Sequence, residues 1–469
     1  MKPEAETFTV DDAVSKAGYG KFQIILLFLS GIGWIADSCE IFILTIVSEF
    51  LACDWTLTKK QPAILTYAVF VGVAVGAVCL GIIGDVFGRK KAIAISMILL
   101  FVVGFGNAFV PSFWWMVACR GIVGFALGGA GQGLTVCTEY CPVYMRGKAG
   151  FFLCYFWSFG TIMVILISWV VMQYLNSWRL LLGILSLPSL VGLISLKWYP
   201  ESARYYLVSG QYDRAIKVLQ RVAKTNDTDL PPGRLVQVIA EEKRGRFKDL
   251  LSKEYRLATL LIWFIWWSAA LSAYGTVFVS PIIIQKGYLG NVGGNNQRSG
   301  NQSEIESNIK PCVEFSQQNF IDLLWTSAAE FPGLFIFTFL AELCGRKVLL
   351  SASFIINGFL LLLLLLRTYK IVILLVLFAA RGLMLAVFQL VYIVTIEIYP
   401  TTFRALGMGF GNFFSKLAGF VVPYVSQMLV FEHPSVAMGM MASACFLAGI
   451  AAAFLPFETR GVQMKERAK

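Results

Sequence analysis

The octapeptide GDVFGRKK, Gly84 to Lys91, sits between two apolar runs, and about 257 residues later AELCGRK, Ala341 to Lys347, sits between two more. In that register Asp85, Gly88 and Arg89 fall on Glu342, Gly345 and Arg346. Other positions follow in order. Glu139 and Arg146 recur as Glu397 and Arg404, each pair seven apart with a proline three after the glutamate (Pro142, Pro400). Arg120-Gly121 recurs as Arg381-Gly382, and Pro200-Glu201 is echoed by Pro456 and Glu458. A run of ordered coincidences at one offset is an internal repeat, so the chain reads as two related halves.

What surrounds these motifs sets the class. The chain has 469 residues, 57% of them hydrophobic and 14% charged, whereas soluble domains carry roughly a quarter charged residues. A bilayer-crossing helix needs about 20 apolar residues. Stretches that meet this requirement fall at 22–46, 63–84, 92–110, 114–137, 149–174, 178–199, 257–285, 318–343, 347–367, 371–395, 405–430 and 435–456. They predict an all-α polytopic membrane protein of twelve transmembrane helices. Residues 1–21 form an N-terminal segment without the apolar core of a cleavable signal, residues 22–199 and 257–456 two six-helix halves, 200–256 a linker and 457–469 a tail. Within the linker, Tyr205, Leu207, Tyr212, Ile216, Leu219 and Val222 alternate with Arg214, Lys217, Arg221 and Lys224, which predicts short amphipathic helices.

The net charge of +11 calls for a membrane explanation before a nucleic-acid one. Lys and Arg cluster at 89–91, 146–148, 346–347 and 460–469, all on the side of the termini. The positive-inside rule makes that side cytoplasmic. The opposite loops are short except for Gly287 to Ser316, where Asn301-Gln302-Ser303 is a glycosylation acceptor pattern. Most of the ten cysteines lie inside apolar runs and read as structural thiols, with Cys53 and Cys312 loop-borne on the outer side. There is no CxxC pair and a single histidine, His433, so no metal site is expected. Gly128, Gly129, Gly131 and Gly133 have no preceding strand and no following Gly-Lys-Ser/Thr, and read as helix packing, not as a phosphate loop. No cofactor, enzyme activity or nucleic-acid partner is expected.

Two six-helix halves suit a secondary transporter that rocks about a midplane site. Acidic and basic residues at matched helix ends, Asp85, Arg89, Glu139, Arg146, Glu342, Arg346, Glu397 and Arg404, with Gly88, Gly345, Glu201, Arg204 and Glu458, predict a gate on the terminus-bearing side. GDVFGRKK resembles the signature loop of the major facilitator superfamily. RGIVGFALGGAGQG (120–133), EYCPVYMRG (139–147), PESARYYL (200–207) and PFETRG (456–461) resemble its sugar-porter and organic-ion branch. IADSCEIFILTIV (35–47), LIWFIWWSAALSAYG (261–275), DLLWTSAAEFPG (322–333) and EIYPTTFRALGMG (397–409) resemble synaptic vesicle 2-related proteins. The resemblance implies the major facilitator fold. The seventh span lacks the paired glutamine of sugar porters, a departure that weighs against a hexose.

Ionisable residues inside spans are costly and point to function. Asp37 and Glu40, three apart on one face of the first span, are candidates for a proton or a cationic group. Arg120, at a similar depth in the fourth, is their counter-ion or a clamp for an anionic solute. Glu330, Arg381 and Lys416 form a matching cluster in the second half. Gln132, Tyr274, Gln389 and Asn412 are candidate pocket residues, because a buried amide or phenol needs a partner. The alternative for the charges is mutual neutralisation that only fixes packing. The expected protein is a monomer in the lipid bilayer of the plasma membrane or a vesicle, with both termini cytoplasmic. It moves a small charged organic solute by alternating access, with proton coupling through Asp37 and Glu40. A non-transporting binding or regulatory protein of vesicles and a passive uniporter are the rival readings.

Overall fold

The computed structural model describes residues 7–58, 60–129, 131–142, 145–236, 247–287, 315–400 and 403–456, with no account of the side chain of Glu342. Asn301, Cys312 and Glu458 lie outside the described residues. Among the described residues, twelve helices are long and apolar enough to cross a membrane: Lys21–Asp54, Gln61–Phe87, Arg89–Phe109, Phe113–Glu139, Lys148–Tyr174, Trp178–Ser195, Arg256–Lys286, Gln317–Ala341, Arg346–Leu363, Lys370–Ile398, Leu406–Glu432 and Pro434–Ala453. We refer to them as spans one to twelve. Large apolar side chains such as Phe109, Leu343 and Val348 point outward, as they must where the surrounding solvent is lipid. Trp114 and Trp115, exposed at the start of span four, are placed as interface anchors.

Span one differs from its expected length. Its apolar stretch ends at residue 46, but the helix continues past the polar pair Ser48-Glu49 through Phe50, Leu51 and Ala52 to Asp54. Leu51 is fully buried, so the extra turns are held by packing that the hydropathy of single residues does not register. Cys53, expected in a loop, lies in the last turn of this helix and is disulfide-bonded. Span eleven is irregular for a visible reason: Pro423 lacks the N–H that an α-helix needs, and Tyr424–Leu429 follow as a π-helical turn.

The repeated Arg-Gly pairs mark where backbones nearly touch. A Cβ on Gly124 of span four would lie 2.1 Å from the Val69 carbonyl of span two, and one on Gly72 equally close to the Gly121 carbonyl. In the second half a Cβ on Gly333 of span eight would lie 2.2 Å from the Gly382 carbonyl of span ten. Small residues let transmembrane helices approach in this way. The halves meet through spans one, two and five of the first and seven, eight, ten and eleven of the second. Phe159 packs edge-on to Phe331 at 4.9 Å between ring centroids, and Phe70 to Tyr274 at 5.5 Å.

The linker folds against the N-terminus. Helices Ala203–Val208 and Tyr212–Thr225 lie at the end of the molecule where span one starts, and the apolar face of the second takes up a short helix, Val10–Ala17. Thr9 caps that helix in a reciprocal capping box with Asp12. Thr7–Phe8 pairs in parallel with Arg234–Leu235. Asn226 accepts from the Phe22 amide at 2.9 Å and donates to Gln23 Oε1 at 2.8 Å. The N-terminal segment is thus a built element and not a featureless lead-in.

Candidate functional site

The six ionisable residues inside the spans do not combine as their order in the chain suggests. Arg120 Nη1 donates to Glu40 Oε2 at 2.8 Å, both side chains buried. Arg120 takes Glu40 and not Asp37, one helical turn away on the same span. Gly104 of span three makes room: a Cβ there would lie 2.9 Å from Glu40 Oε1. In the second half Arg381 Nη2 donates to Glu330 Oε1 at 2.7 Å, again fully buried. The Arg381 guanidinium also stacks over the Phe42 ring of span one at 5.2 Å, a cation–π contact that joins the halves.

Lys416 takes no part in the Glu330–Arg381 pair. It is the opposing charge that acts on Asp37, across the boundary between the halves. Tyr274 of span seven also feels the Asp37 charge. Asp37 is 4% exposed, and its Oδ1 has no hydrogen-bond partner among the described residues. The acidic surplus expected in the first half, and the basic surplus expected in the second, therefore cancel between halves. Two of the three pairs are closed contacts. The third, Asp37 with Lys416, is not.

The amides and the phenol separate in the same way. Gln389 lies within contact of Cys154 and near Gly150, so it faces the first half. Tyr274 packs against Phe70 and Phe388. Asn412 is half-buried one turn before Lys416. Gln132 belongs elsewhere: its Oε1 accepts from Arg89 Nη1 at 3.0 Å, which assigns it to the network at the N-terminal face.

That network holds the repeat motifs. Arg89 also pairs with Asp85 at 2.6 Å, one helical turn away. Gly88 has φ +107°, and a Cβ there would lie 2.3 Å from Glu201 Oε2. Only glycine suits both that conformation and that proximity. The Glu201 carboxylate accepts from the Lys90 amide at 3.2 Å, and Lys90 Nζ donates to the Tyr199 carbonyl at 2.8 Å. Glu139 accepts from the Ser202 hydroxyl and not from Arg146. Arg146 Nη2 instead reaches Asp11 Oδ1 at 2.6 Å, where Arg204 also donates at 2.7 Å. Burial alone would raise the Asp11 carboxyl, but the two guanidinium groups more than offset this and hold it below its ordinary value. In the second half Glu397 pairs with Arg346 at 3.4 Å and not with Arg404. Arg146 and Arg404 each donate Nε to the carbonyl five residues back, Cys141 and Tyr399, at 3.1 Å. They also face each other, and burial together with Arg146 lowers the Arg404 guanidinium. The ion pairs named at this face each lie within one half or tie the N-terminal helix to the first half and to the linker.

Sequence reasoning passed over Asp11, Gly104, Phe42 and Trp34. Asp11 alone carried a local signal, since Thr9-Val10-Asp11-Asp12 is a helix-start pattern.

The chain matches the sugar (and other) transporter family over residues 27–294. It is 36% identical to the synaptic vesicle 2-related protein of Pongo abelii over 99% of this chain and 83% of that one. It is 34% identical to the putative transporter svop-1 of Caenorhabditis elegans over 99% of this chain and 88% of that one. Among solved structures, it is similar to the partially occluded inward-open conformation of the xylose transporter XylE from E. coli, with a TM-score of 0.71 and 16% identity. The similarity covers 94% of this chain and 99% of that one.

Proposed function

The chain belongs to the sugar (and other) transporter family of the major facilitator superfamily, a multi-pass membrane protein with the transporter fold, and on that premise we propose secondary active transport of a small charged organic solute by alternating access, with the coupled proton on Asp37. The observation that carries this reading is the open third pair. Glu40 and Glu330 are each held by a buried arginine at hydrogen-bond distance, whereas the Asp37 carboxylate faces Lys416 across the halves without a direct ion pair. A proton on Asp37 cancels that attraction. An organic cation would take the place of Lys416 beside Asp37; a carboxylate would take the place of Asp37 beside Lys416. Either exchange changes what draws the halves together, which is the requirement for linking occupancy to rocking.

Residues 1–199 and 257–469 would be the moving units, with 200–256 the linker between them. The basic clusters at 89–91, 146–148 and 346–347 favour a cytoplasmic N-terminal face. The disulfide at Cys53 on the opposite face suits an oxidising compartment, and a vesicle lumen fits the resemblance to synaptic vesicle 2-related proteins. The motif residues at the N-terminal face would gate it through the pairs they form within a half or with the N-terminal helix and the linker, with Glu40 as a neighbour that tunes Asp37.

A thermal-shift screen of the purified protein against organic cations, carboxylates and nucleotides would identify a solute, and its uptake into proteoliposomes under an imposed pH gradient tests the reading. Gradient-driven uptake that is lost in Asp37→Asn supports it. Uptake indifferent to the gradient in both proteins indicates a uniporter, and stabilisation without flux indicates a binding protein.

A further inference from the structure

A small cavity of about 30 Å³ lies inside the first half, between spans one, three, four and six. One water needs roughly 10–15 Å³ measured in the same way, so there is room for a short file. Its span-one wall is a single helical face: Ser30, Trp34 and Asp37. Two polar atoms of that wall, Asp37 Oδ1 and Trp34 Nε1, are buried and make no hydrogen bond among the described residues. One is an acceptor and the other a donor. At the far end the Ser30 hydroxyl lies 3.0 Å from the Tyr199 hydroxyl, and each is 3.4 Å from the Gly133 carbonyl. The Tyr199 carbonyl in turn accepts from Lys90 of the GDVFGRKK motif, so the line from Asp37 ends at the N-terminal face.

We propose that this cavity is a water site that connects the Asp37 carboxylate to the N-terminal face through the interior of the first half, giving the proton a route separate from the solute's path between the halves. The inference rests on Asp37 as the proton carrier. Ser30 and Asp37 are about 10 Å apart along the helix, a span that two or three waters bridge at about 2.8 Å per hydrogen bond. The indole N–H of Trp34 donates and cannot accept, so the lining suits water and disfavours a metal cation. The titratable groups that face Asp37 are Glu40 and Cys39 on its own span, Lys416 on span eleven and Tyr274 on span seven. None of these lines the cavity.

Hydroxyl-radical footprinting by X-ray radiolysis, applied to the whole protein in nanodiscs, tests the route because buried water is itself the radical source. Met97 lines the cavity and is 5% exposed, while Met441, 0% exposed in the second half, serves as the internal control. Met97 should oxidise about tenfold faster than Met441 if water fills the cavity. A Cβ on Gly133 would lie 3.9 Å from both Ser30 Cβ and Tyr199 Oη, so Gly133→Ala enters without a clash. Gly133→Ala should slow Met97 oxidation, Gly133→Val should slow it further, and both should slow the gradient-driven uptake. A Met97 rate equal to that of Met441, or one unmoved by both variants, overturns the route. Loss of pH dependence in Asp37→Asn with a slow Met97 sinks the route alone. Persistent pH dependence in Asp37→Asn with a fast Met97 sinks the proton assignment on which it rests.

Discussion

The two halves each bury one arginine–glutamate pair, yet they build it differently. The arginines are repeat-related, Arg120 on span four and Arg381 on span ten, each on a helix that glycines bring close against a neighbour. The carboxylates are not: Glu40 comes from the first span of its half and Glu330 from the second span of its own. The two halves therefore share a buried guanidinium but not the span that supplies its partner. This places the first-half pair one turn from Asp37 on the same helix, whereas the second-half pair has Phe42 and Cys154 as neighbours across the boundary. The same asymmetry appears at the surface, where Gly88 is held at φ +107° against Glu201 and its counterpart Gly345 has an ordinary φ of −61°.

The largest expected effect comes from breaking one partner of either buried pair. Arg120→Met or Arg381→Met leaves a carboxylate buried without its counter-charge and should cost about 3–5 kcal/mol, read as thermal denaturation in detergent. The double variants Glu40→Gln/Arg120→Met and Glu330→Gln/Arg381→Met should each regain most of that loss. They should then part: the second-half double should keep the pH dependence of uptake, and the first-half double should shift it through Asp37. Identical behaviour of the two would erase the distinction between them.

The glycines give a cleaner contrast. Gly88→Ala forces a side chain into a conformation close to glycine-only, and towards Glu201, at about 2–3 kcal/mol. Gly345→Ala, with extended backbone, should stay within about 0.5 kcal/mol. Equal melting temperatures for the two would break the asymmetry at this face.

These contrasts also show what the sequence can carry. Spans are set by apolar length, and the internal repeat by matched charges, so the twelve helices were legible to within a few residues. The eight extra residues of span one were not, because Leu51 and its neighbours are fixed by tertiary burial. Lys416 was grouped with Glu330 and Arg381 because all three lie in one half, but helix spacing within a half says nothing of which side chain faces the other half. Gln132 read as a pocket amide because nothing along the chain relates it to Arg89, 43 residues away. The N-terminal helix escaped notice because eight residues give too short a periodicity to stand out from a polar tail.

A smaller effect than that of Gly88→Ala belongs to Asp11, a half-exposed carboxylate shared by Arg146 and Arg204. Asp11→Asn should cost at most about 1 kcal/mol and should show mainly as faster amide exchange over Val10–Ala17. Its carboxyl is held below the ordinary value, so the stabilisation is present above that value and disappears as pH falls through the lowered one. Undocking of the helix should therefore begin only below about pH 4. Undocking near neutral pH would assign the contact to another group.

The most direct measurement is the number of protons exchanged when the solute found by thermal-shift screening binds, obtained by calorimetry in buffers of different ionisation enthalpy. If Asp37 is the coupled site, the wild-type protein should exchange a fraction approaching about one proton, the Glu330→Gln/Arg381→Met protein the same, and Asp37→Asn none. An undiminished proton count in Asp37→Asn would contradict it.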